Sequence, residues 1–334
     1  MNITTKILTI AALFAICSCA EKEITPIAPE AGKPIEFGSI DTRALVNSID
    51  QVNAFGVSCA ISNSDNSNYG SIMDNVKVER SAKSDTGWDY NPKRYWLEDS
   101  YFYFVASYPY VDGGGFQPYY DEESGTFVGY ILNVDTSAQN DILIDSEYVN
   151  TSDPWNNTVK FQFGHLLTNV NFRISKDQSS ANHYTITKVT LQGVSVRGEY
   201  IMMPLQNTIE QGWYSLQSGI FENVPSNGNL DGNRTISVWD NDGLLIIPEV
   251  MSTKTVELVI DYQYQLYVDE STNGEQQPEI QNKQLKVIVP TSEWVSGRRI
   301  VYTLSITDPN RIVFKNVSVE PWGNVQTGGT IIIK

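Results

Sequence analysis

Histidine is scarce in this chain of 334 residues, which contains only His165 and His183. The sequence has no HExxH, GxSxG or GxxxxGK motif, so the signatures of zinc peptidases, serine hydrolases and P-loop NTPases are missing. A metal at His165 would need further histidine, cysteine or carboxylate ligands at suitable spacing, and none lie nearby. We therefore expect a structural His165 with hydrogen-bonded ring nitrogens, no enzyme activity, no metal and no cofactor.

Positive charge is also in short supply. The chain carries 23 lysines and arginines against 39 aspartates and glutamates, a formal net charge of -16. Proteins that bind nucleic acid present a basic face to the phosphates, so this balance argues against nucleic acid as a partner. An acidic chain of this kind suits an exposed surface that resists nonspecific association.

Long hydrophobic runs are absent, because the longest, residues 7–16, is too short to span a bilayer. It follows Lys6 and precedes small residues, as in a secretory signal. Cys19 has Ile16 three positions before it and Ser18 directly before it. This resembles a bacterial lipobox, in which the cysteine sulfur is lipidated and becomes the new N-terminus. We expect a lipid on Cys19, and ordinary secretion with cleavage nearby is the alternative.

Cysteine is rare, with three in the whole chain. Loss of the signal and lipidation of Cys19 would leave Cys59 as the only free thiol, so no intramolecular disulfide could form. Stability must then come from packing. The apolar content of 41% and the aromatic content of 11% are sufficient for real hydrophobic cores.

No sequence segment of useful length has the apolar periodicity of an amphipathic helix. Apolar and polar residues instead alternate with a period of two. The segments VELVIDYQY (256–264) and IVYTLSI (300–306) each place their apolar residues on one face. Asn, Asp, Gly and Ser clusters separate such segments, which is typical of turns. Gly193 and Asn316 interrupt the alternation and predict β-bulges. The pattern predicts an all-β protein built from antiparallel sandwiches.

The chain divides into four parts on these grounds. Residues 1–18 form the signal peptide, and residues 19–34, which hold three prolines, form an extended tether. The strand-like segments then fill two sandwiches, an N-terminal domain over 35–160 and a C-terminal domain over 161–334.

Aromatic residues are concentrated in the segment YWLEDSYFYFVASYPY (95–110). Alternation puts Phe102 and Phe104 on one face of a strand and Tyr101 and Tyr103 on the other. A strand with both faces covered explains this pattern, and we expect these side chains to lie in the core. Exposed rings that stack on sugars are the alternative.

Seven segments in a fixed order resemble the fimbrillin family of type V pilins and their Mfa-like relatives. They are FGSIDTRA (37–44), RYWLEDSYFYFVASYP (94–109), SAQNDILI (137–144), VKFQFGHLLTNVNFRI (159–174), LLIIPE (244–249), EWVSGRRIVYTLSI (293–306) and FKNVSVEPW (314–322). The resemblance covers nearly the whole mature chain. It implies two transthyretin-like antiparallel β-sandwich domains in tandem after the lipoprotein signal and the tether.

The resemblance also implies assembly by strand donation. A subunit is exported as a lipoprotein to the outer membrane, and an Arg-specific protease then removes its N-terminal strand. Arg43 matches the cleavage position, Ala44 would be the new N-terminus, and the segment from Ile35 to Ile40 would be removed. A solvated arginine at a strand end is the alternative for Arg43.

The C-terminal strand of the next subunit would fill the open groove. In this chain the donor corresponds to residues 330–333, with Ile331 and Ile333 inserted and Ile332 facing out. These residues could equally form a closing edge strand of the second domain, and the sequence leaves both alternatives open.

The leading hypothesis is a structural subunit or fimbrium-associated lipoprotein at the cell surface. Its partners would be other fimbrial subunits, outer-membrane lipid through Cys19 and an Arg-specific protease. The alternative is a monomeric surface lipoprotein that binds glycan through exposed aromatics such as Tyr95, Trp96 or Trp88.

Overall fold

The structure is a computed structural model that describes residues 32–38, 41–42, 52–63, 70–131, 139–152, 158–205, 208–240, 243–265, 279–290, 293–322 and 332–333. Strands account for nearly all regular structure in these ranges. Within them, the helical structure given is one 3-10 turn, Met251–Thr253. The all-β prediction is confirmed.

The strands are short apart from one long hairpin. In chain order they are β1 (Glu36–Phe37), β2 (Asp41–Thr42), β3 (Ala54–Asn63), β4 (Gly70–Arg80), β5 (Trp88–Asp89), β6 (Ser100–Tyr108), β7 (Tyr119–Asp121), β8 (Thr126–Ile131), β9 (Leu143–Asn150), β10 (Thr158–Val159), β11 (Gln162–His165), β12 (Thr168–Lys176), β13 (His183–Leu205), β14 (Thr208–Asn223), β15 (Thr235–Ser237), β16 (Leu244–Ile246), β17 (Glu257–Gln265), β18 (Ile280–Ile288), β19 (Arg298–Asp308), β20 (Arg311–Pro321) and β21 (Ile332–Ile333).

The first half of the chain builds one large sheet around β6. The strand order is β2-β11-β9-β6-β3-β4-β5, and β1 and β10 form a separate two-stranded sheet. Phe102 and Phe104 enter the first hydrophobic core, whereas Tyr101 and Tyr103 enter a different core on the opposite face. Both faces of β6 are therefore covered, which confirms the core prediction for this aromatic strand.

The second half of the chain builds a sandwich. One sheet has the order β15-β12-β19-β20, with β16 beside β12, and the other has the order β18-β17-β13-β14-β21. Their inner faces share one hydrophobic core, to which β17 contributes Leu258, Ile260 and Tyr262. The predicted alternation in β17 is confirmed, because every second side chain there is buried. In β19 the predicted apolar face lies in this core, but Val301 and Ser305 on the other face are buried as well.

Four of the strand pairings in the described ranges are parallel, although we predicted antiparallel sandwiches. The longest joins β12 to β19, from Asn169 opposite Arg299 to Lys176 opposite Ile306. The others join β1 to β10, β2 to β11 and β14 to β21. All four bring together segments far apart in sequence, so no local pattern could indicate their direction.

Both predicted β-bulges occur. At Gly193 the register of β13 shifts against β14, and the glycine adopts a φ of 85°. In β20 the register shifts between Asn316, opposite Thr303, and Phe314, opposite Leu304. Lys315 is thus the extra residue, one position from the predicted site.

The long strand β13 joins the two halves of the molecule. Its first part pairs with β17 and its later part pairs with β8. The later part of the hairpin, with β7 and β8, covers the outer face of the first sheet and closes a further core. That core includes Tyr101, Tyr103, Val105, Tyr120, Phe127, Ile131, Tyr200, Met202 and Trp213.

The boundary after residue 160 remains a prediction. Strand β11 follows this boundary but pairs with β9, and Phe161 and Phe163 belong to the first core. The apolar stripe that continues through Val170 and Phe172 belongs to the core of the second sandwich. One continuous sequence stripe thus serves two cores. Among the described residues no helix is long and apolar enough to cross a membrane.

Candidate functional site

Residues 33–38 form an N-terminal strand segment, here called the groove segment, that is hydrogen-bonded along both of its edges. On one edge the amide of Ile35 donates to the carbonyl of Arg94 at 2.9 Å. The amide of Trp96 donates to the carbonyl of Lys33 at 3.0 Å. The bonded segment therefore begins two residues earlier than the predicted strand.

The other edge of the groove segment pairs in parallel with β10. Glu36 lies opposite Thr158 and Phe37 lies opposite Val159. The amide of Gly38 donates to the carbonyl of Val159 at 2.8 Å. The segment thus occupies a slot between two chain segments, and its removal would leave backbone groups unpaired on both sides.

Side chains of the groove segment alternate between the core and solvent. Ile35 and Phe37 are 0% and 2% exposed, whereas Glu36 between them is exposed. Four rings surround Phe37, and we call them the aromatic clasp: Phe55 at 6.2 Å, Tyr90 at 5.3 Å, Phe104 at 6.3 Å and Phe161 at 5.9 Å between ring centroids.

Tyr90 also contacts the backbone of the groove segment. Its hydroxyl lies 3.0 Å from the carbonyl oxygen of Ile35 and 3.2 Å from that of Arg94, and it accepts a hydrogen bond from the Arg94 amide at 3.1 Å. Burial raises the pKa of Tyr90 to about 12, so the hydroxyl stays protonated and able to donate. Tyr90 therefore holds the segment by packing and by hydrogen bonding.

Gly38 allows the closest approach between the groove segment and its neighbour. A Cβ atom at this position would lie 2.5 Å from Thr158 Cγ2 and 3.2 Å from Lys160 Cγ. Side-chain atoms do not approach so closely without displacement, so the backbone of the segment can reach β10 here because the residue is a glycine.

The predicted cleavage position directly follows strand β2. Asp41 and Thr42 form β2, opposite Gln162 and Phe163 of β11. Arg43 and Ala44 come next and lie outside the described residues, as does Cys19. Cleavage after Arg43 would therefore separate both β1 and β2 from the rest of the chain.

The predicted donor segment lies at a sheet edge. Ile332 and Ile333 form β21, which pairs in parallel with Gly212 and Trp213 of β14. This is the closing-edge arrangement, one of the two alternatives open from the sequence. Ile331 lies outside the described residues, and the insertion of Ile331 and Ile333 into another subunit stays a prediction.

His165 is buried at the end of β11. Its Nδ1 lies 2.7 Å from Asp141 Oδ2, and its ring stacks on Trp322 with centroids 3.9 Å apart. Neither ring nitrogen has a hydrogen-bond partner of good geometry within the described ranges, so Nδ1 has only the close carboxylate contact and the expected hydrogen bonds of the ring nitrogens are not found. The sequence did not indicate the stack on Trp322, which directly follows the last residue of β20.

The aromatics of the glycan-binding alternative are mostly inaccessible. Trp88 is 5% exposed and Trp96 is 4% exposed. Trp96 packs edge to face against Phe102 at 4.8 Å. Of the three named residues, only Tyr95 retains partial exposure. The glycan-binding alternative required these two tryptophans to be exposed, and both instead fill the first core, where Trp96 was expected to lie.

Sequence reasoning missed Tyr90 and the role of Gly38. The signal for the groove segment was present as the apolar pair Ile35 and Phe37 two positions apart. No local pattern linked this pair to Tyr90, which lies more than fifty residues away and meets the segment only in the folded chain.

Comparison with known proteins identifies a family and several solved structures. A family model described as fimbrillin-like matches residues 42–322. A fimbrial protein from Bacteroides vulgatus aligns with a TM-score of 0.60 and 17% identity, covering 87% of this chain and 100% of that one. This likeness shows a shared fold.

Two further structures align with lower TM-scores. A protein assigned to cell adhesion from Bacteroides ovatus has a TM-score of 0.44 and 17% identity, over 87% of this chain and 98% of that one. The tip fimbrial protein Mfa3 from Porphyromonas gingivalis, with a C-terminal truncation, has a TM-score of 0.34 and 11% identity, over 81% of this chain and 94% of that one. No curated protein sequence matches the chain.

Proposed function

The chain belongs to the fimbrillin-like family, and from that premise we propose that it is a noncatalytic component of a cell-surface fimbrium that assembles by strand donation. Export as a lipoprotein anchors it to the outer membrane through Cys19. An Arg-specific protease then cuts between Arg43 and Ala44. The observation that carries this proposal is the groove segment, which is bonded on both edges, buried on one face and followed within five residues by Arg43.

Loss of the groove segment would make the trimmed chain reactive towards another strand. Burial of each of Ile35 and Phe37 contributes about 1.5–3 kcal/mol, and their loss would uncover the aromatic clasp. The backbone groups of Arg94, Trp96 and Val159 would lose their partners. A strand from a neighbouring subunit restores the hydrogen bonds and the apolar contacts together.

The C-terminal segment is suited to act as the donor for a neighbouring subunit. Strand β21 covers two residues and pairs with one strand, β14, at the edge of a sheet. Release of so short a strand costs little, whereas insertion into a groove would bury Ile331 and Ile333. Such a joint is long-lived, because breaking it exposes apolar surface and unpaired backbone at once.

N-terminal sequencing of the surface-extracted protein tests this function. We expect the wild-type chain to begin at Ala44 and to form multimers that resist heating in detergent. An Arg43→Gln variant should begin at lipidated Cys19 and stay monomeric. The matched control is Arg234→Gln, which removes an exposed arginine from a turn and should behave as wild type. Multimers of the Arg43→Gln chain, or a wild-type chain without cleavage at Arg43, would contradict the proposal.

A further inference from the structure

We propose that the slot occupied by the groove segment selects its incoming strand by the pattern aliphatic, any residue, aromatic, glycine. The strand that fits is supplied by a different subunit, because the C-terminal segment of this chain lacks the pattern. This inference rests on the proposed function, since it concerns the occupant that follows the groove segment.

The aromatic position is defined on several sides by the clasp. The ring of Phe37 stacks on Phe161 with an interplanar angle of 23°. Phe55, Tyr90 and Phe104 meet the ring edge-on, at angles of 84°, 63° and 88°. Such pairs stabilise through ring geometry as well as buried area, and a branched aliphatic chain would lose this geometry and leave a void.

The glycine position is defined by contact rather than by backbone conformation. A Cβ at position 38 would lie 2.5 Å from Thr158 Cγ2. The strand cannot move away from Thr158 freely, because the amide of Gly38 is bonded to Val159 at 2.8 Å. A donor strand with a side chain at this position must displace the side chains of Thr158 and Lys160 or lose that hydrogen bond.

The spacing between the positions follows from the observed strand. Ile35 is fully buried, and Glu36 points to solvent and places no requirement on the donor. An incoming strand that runs in the same direction must therefore present its aliphatic residue two positions before the aromatic one, with glycine directly after it.

The C-terminal segment of this chain does not satisfy the pattern in either plausible register. Residues 323–334 read GNVQTGGTIIIK and contain no aromatic residue. With Ile331 and Ile333 in the two apolar positions, Lys334 falls at the glycine position and would meet Thr158. With Gly328 at the glycine position, Thr327 falls into the clasp. A second copy of this chain is therefore a poor donor to its own groove.

Peptide displacement from the cut chain tests this selectivity. The full mature chain, labelled near its N-terminus and cut after Arg43, holds its segment noncovalently, and fluorescence anisotropy reports displacement by added peptide. A peptide of residues 32–42 should displace it. We expect the Phe37→Ile peptide to require at least about tenfold higher concentration for the same displacement, and we expect the same of the peptide of residues 323–334. The Gly38→Val peptide should not displace it, whereas Glu36→Gln should match the parent peptide.

Equal displacement by the peptide of residues 323–334, or by the Phe37→Ile peptide, would overturn the inference and leave the proposed function intact. A chain that is never cut at Arg43 would overturn the proposed function instead. In that case the uncut chain still tests the inference: Phe37→Ile and Gly38→Val should each lower Tm by about 3 °C or more, and Glu36→Gln should not. An unchanged Tm for Phe37→Ile would contradict the aromatic requirement.

Discussion

Glu147 shows how an acidic side chain acts differently once it is partly buried in this sheet. It lies on β9, opposite Phe104 of β6. Burial, with a smaller contribution from the neighbouring Asp145 carboxylate, raises the pKa of Glu147 to about 7. The folded chain therefore holds this proton more tightly than the unfolded chain, where the pKa of a glutamate is about 4.3.

Stability should consequently fall as the pH rises through this window. The contribution of protonated Glu147 is complete below the unfolded pKa and is lost as pH rises through about 7. We expect Glu147→Gln to raise the urea midpoint relative to wild type at pH 8 and to leave little difference at pH 4. Glu122→Gln, at an exposed turn, is the control. A larger gain at pH 4 than at pH 8 would contradict the assignment.

Residue-level predictions succeeded where chemistry is local. Because no further zinc ligands lie at suitable spacing from His165, we predicted a structural role. The residue is buried between Asp141 and Trp322. For Trp88 and Trp96 the sequence left a sugar-binding alternative open, because an aromatic side chain suits both a core and a sugar-binding surface. The packing of neighbouring strands decided between these alternatives.

At the scale of elements, the bulge at Gly193 lies where β13 changes its partner from β17 to β8 within one sheet. Its φ is 85°, and a Cβ there would lie 2.5 Å from the carbonyl oxygen of Thr255. The pairing of β13 with β17 ends directly before this point, at Gln192, and its pairing with β8 begins beyond it, at Gly198. The change of register redirects the strand.

Substitution of Gly193 should therefore destabilise the chain. We expect Gly193→Ala to lower the free energy of unfolding by about 1–3 kcal/mol, because alanine is strained at this φ and meets a backbone atom. Gly164→Ala is the matched control, since a Cβ at Gly164 meets nothing within 4 Å. Urea unfolding followed by tryptophan fluorescence measures both, and equal stabilities of the two variants would refute the explanation.

Strand identity was predictable, whereas strand pairing was not. Alternation located β17 and β19 because each strand has one face in the core. The parallel pairing of β12 with β19 joins segments more than a hundred residues apart, so its direction depends on the path of the whole chain. The alternation of apolar residues also identified the groove segment as a strand. The sequence did not indicate which chain segments form the slot around it.

At the scale of the whole molecule, the β13–β14 hairpin couples the two halves. Tyr200 and Met202 from β13 share a core with Tyr101 and Tyr103 from the first sheet. A shared hydrophobic core resists separation of the two halves better than a polar contact does.

Removal of a side chain from this shared core should weaken the whole molecule. Met202 is fully buried, and we expect Met202→Ala to lower the free energy of unfolding by about 2–4 kcal/mol. Met203→Ala is the control, because the neighbouring side chain lies on the other face of β13 and is partly exposed. Urea unfolding measures both, and a Met203→Ala loss as large as that of Met202→Ala would contradict the shared core.

The sequence by itself determined the class of structure and the positions of its strands and bulges. These features depend on side-chain periodicity and on glycine, and both act over a few residues of chain. It also supplied the lipobox-like Cys19 and the Arg43 position, which stay predictions from short motifs, because both residues lie outside the described ranges.

Only the tertiary structure decided what surrounds the groove segment. Arg94, Trp96 and Val159 bond its backbone, and Tyr90 and the other clasp rings enclose Phe37. These groups come from distant parts of the chain, and they meet because two sheets and a loop pack around one strand. The selectivity of the slot is therefore a property of packing, which no local sequence pattern contains.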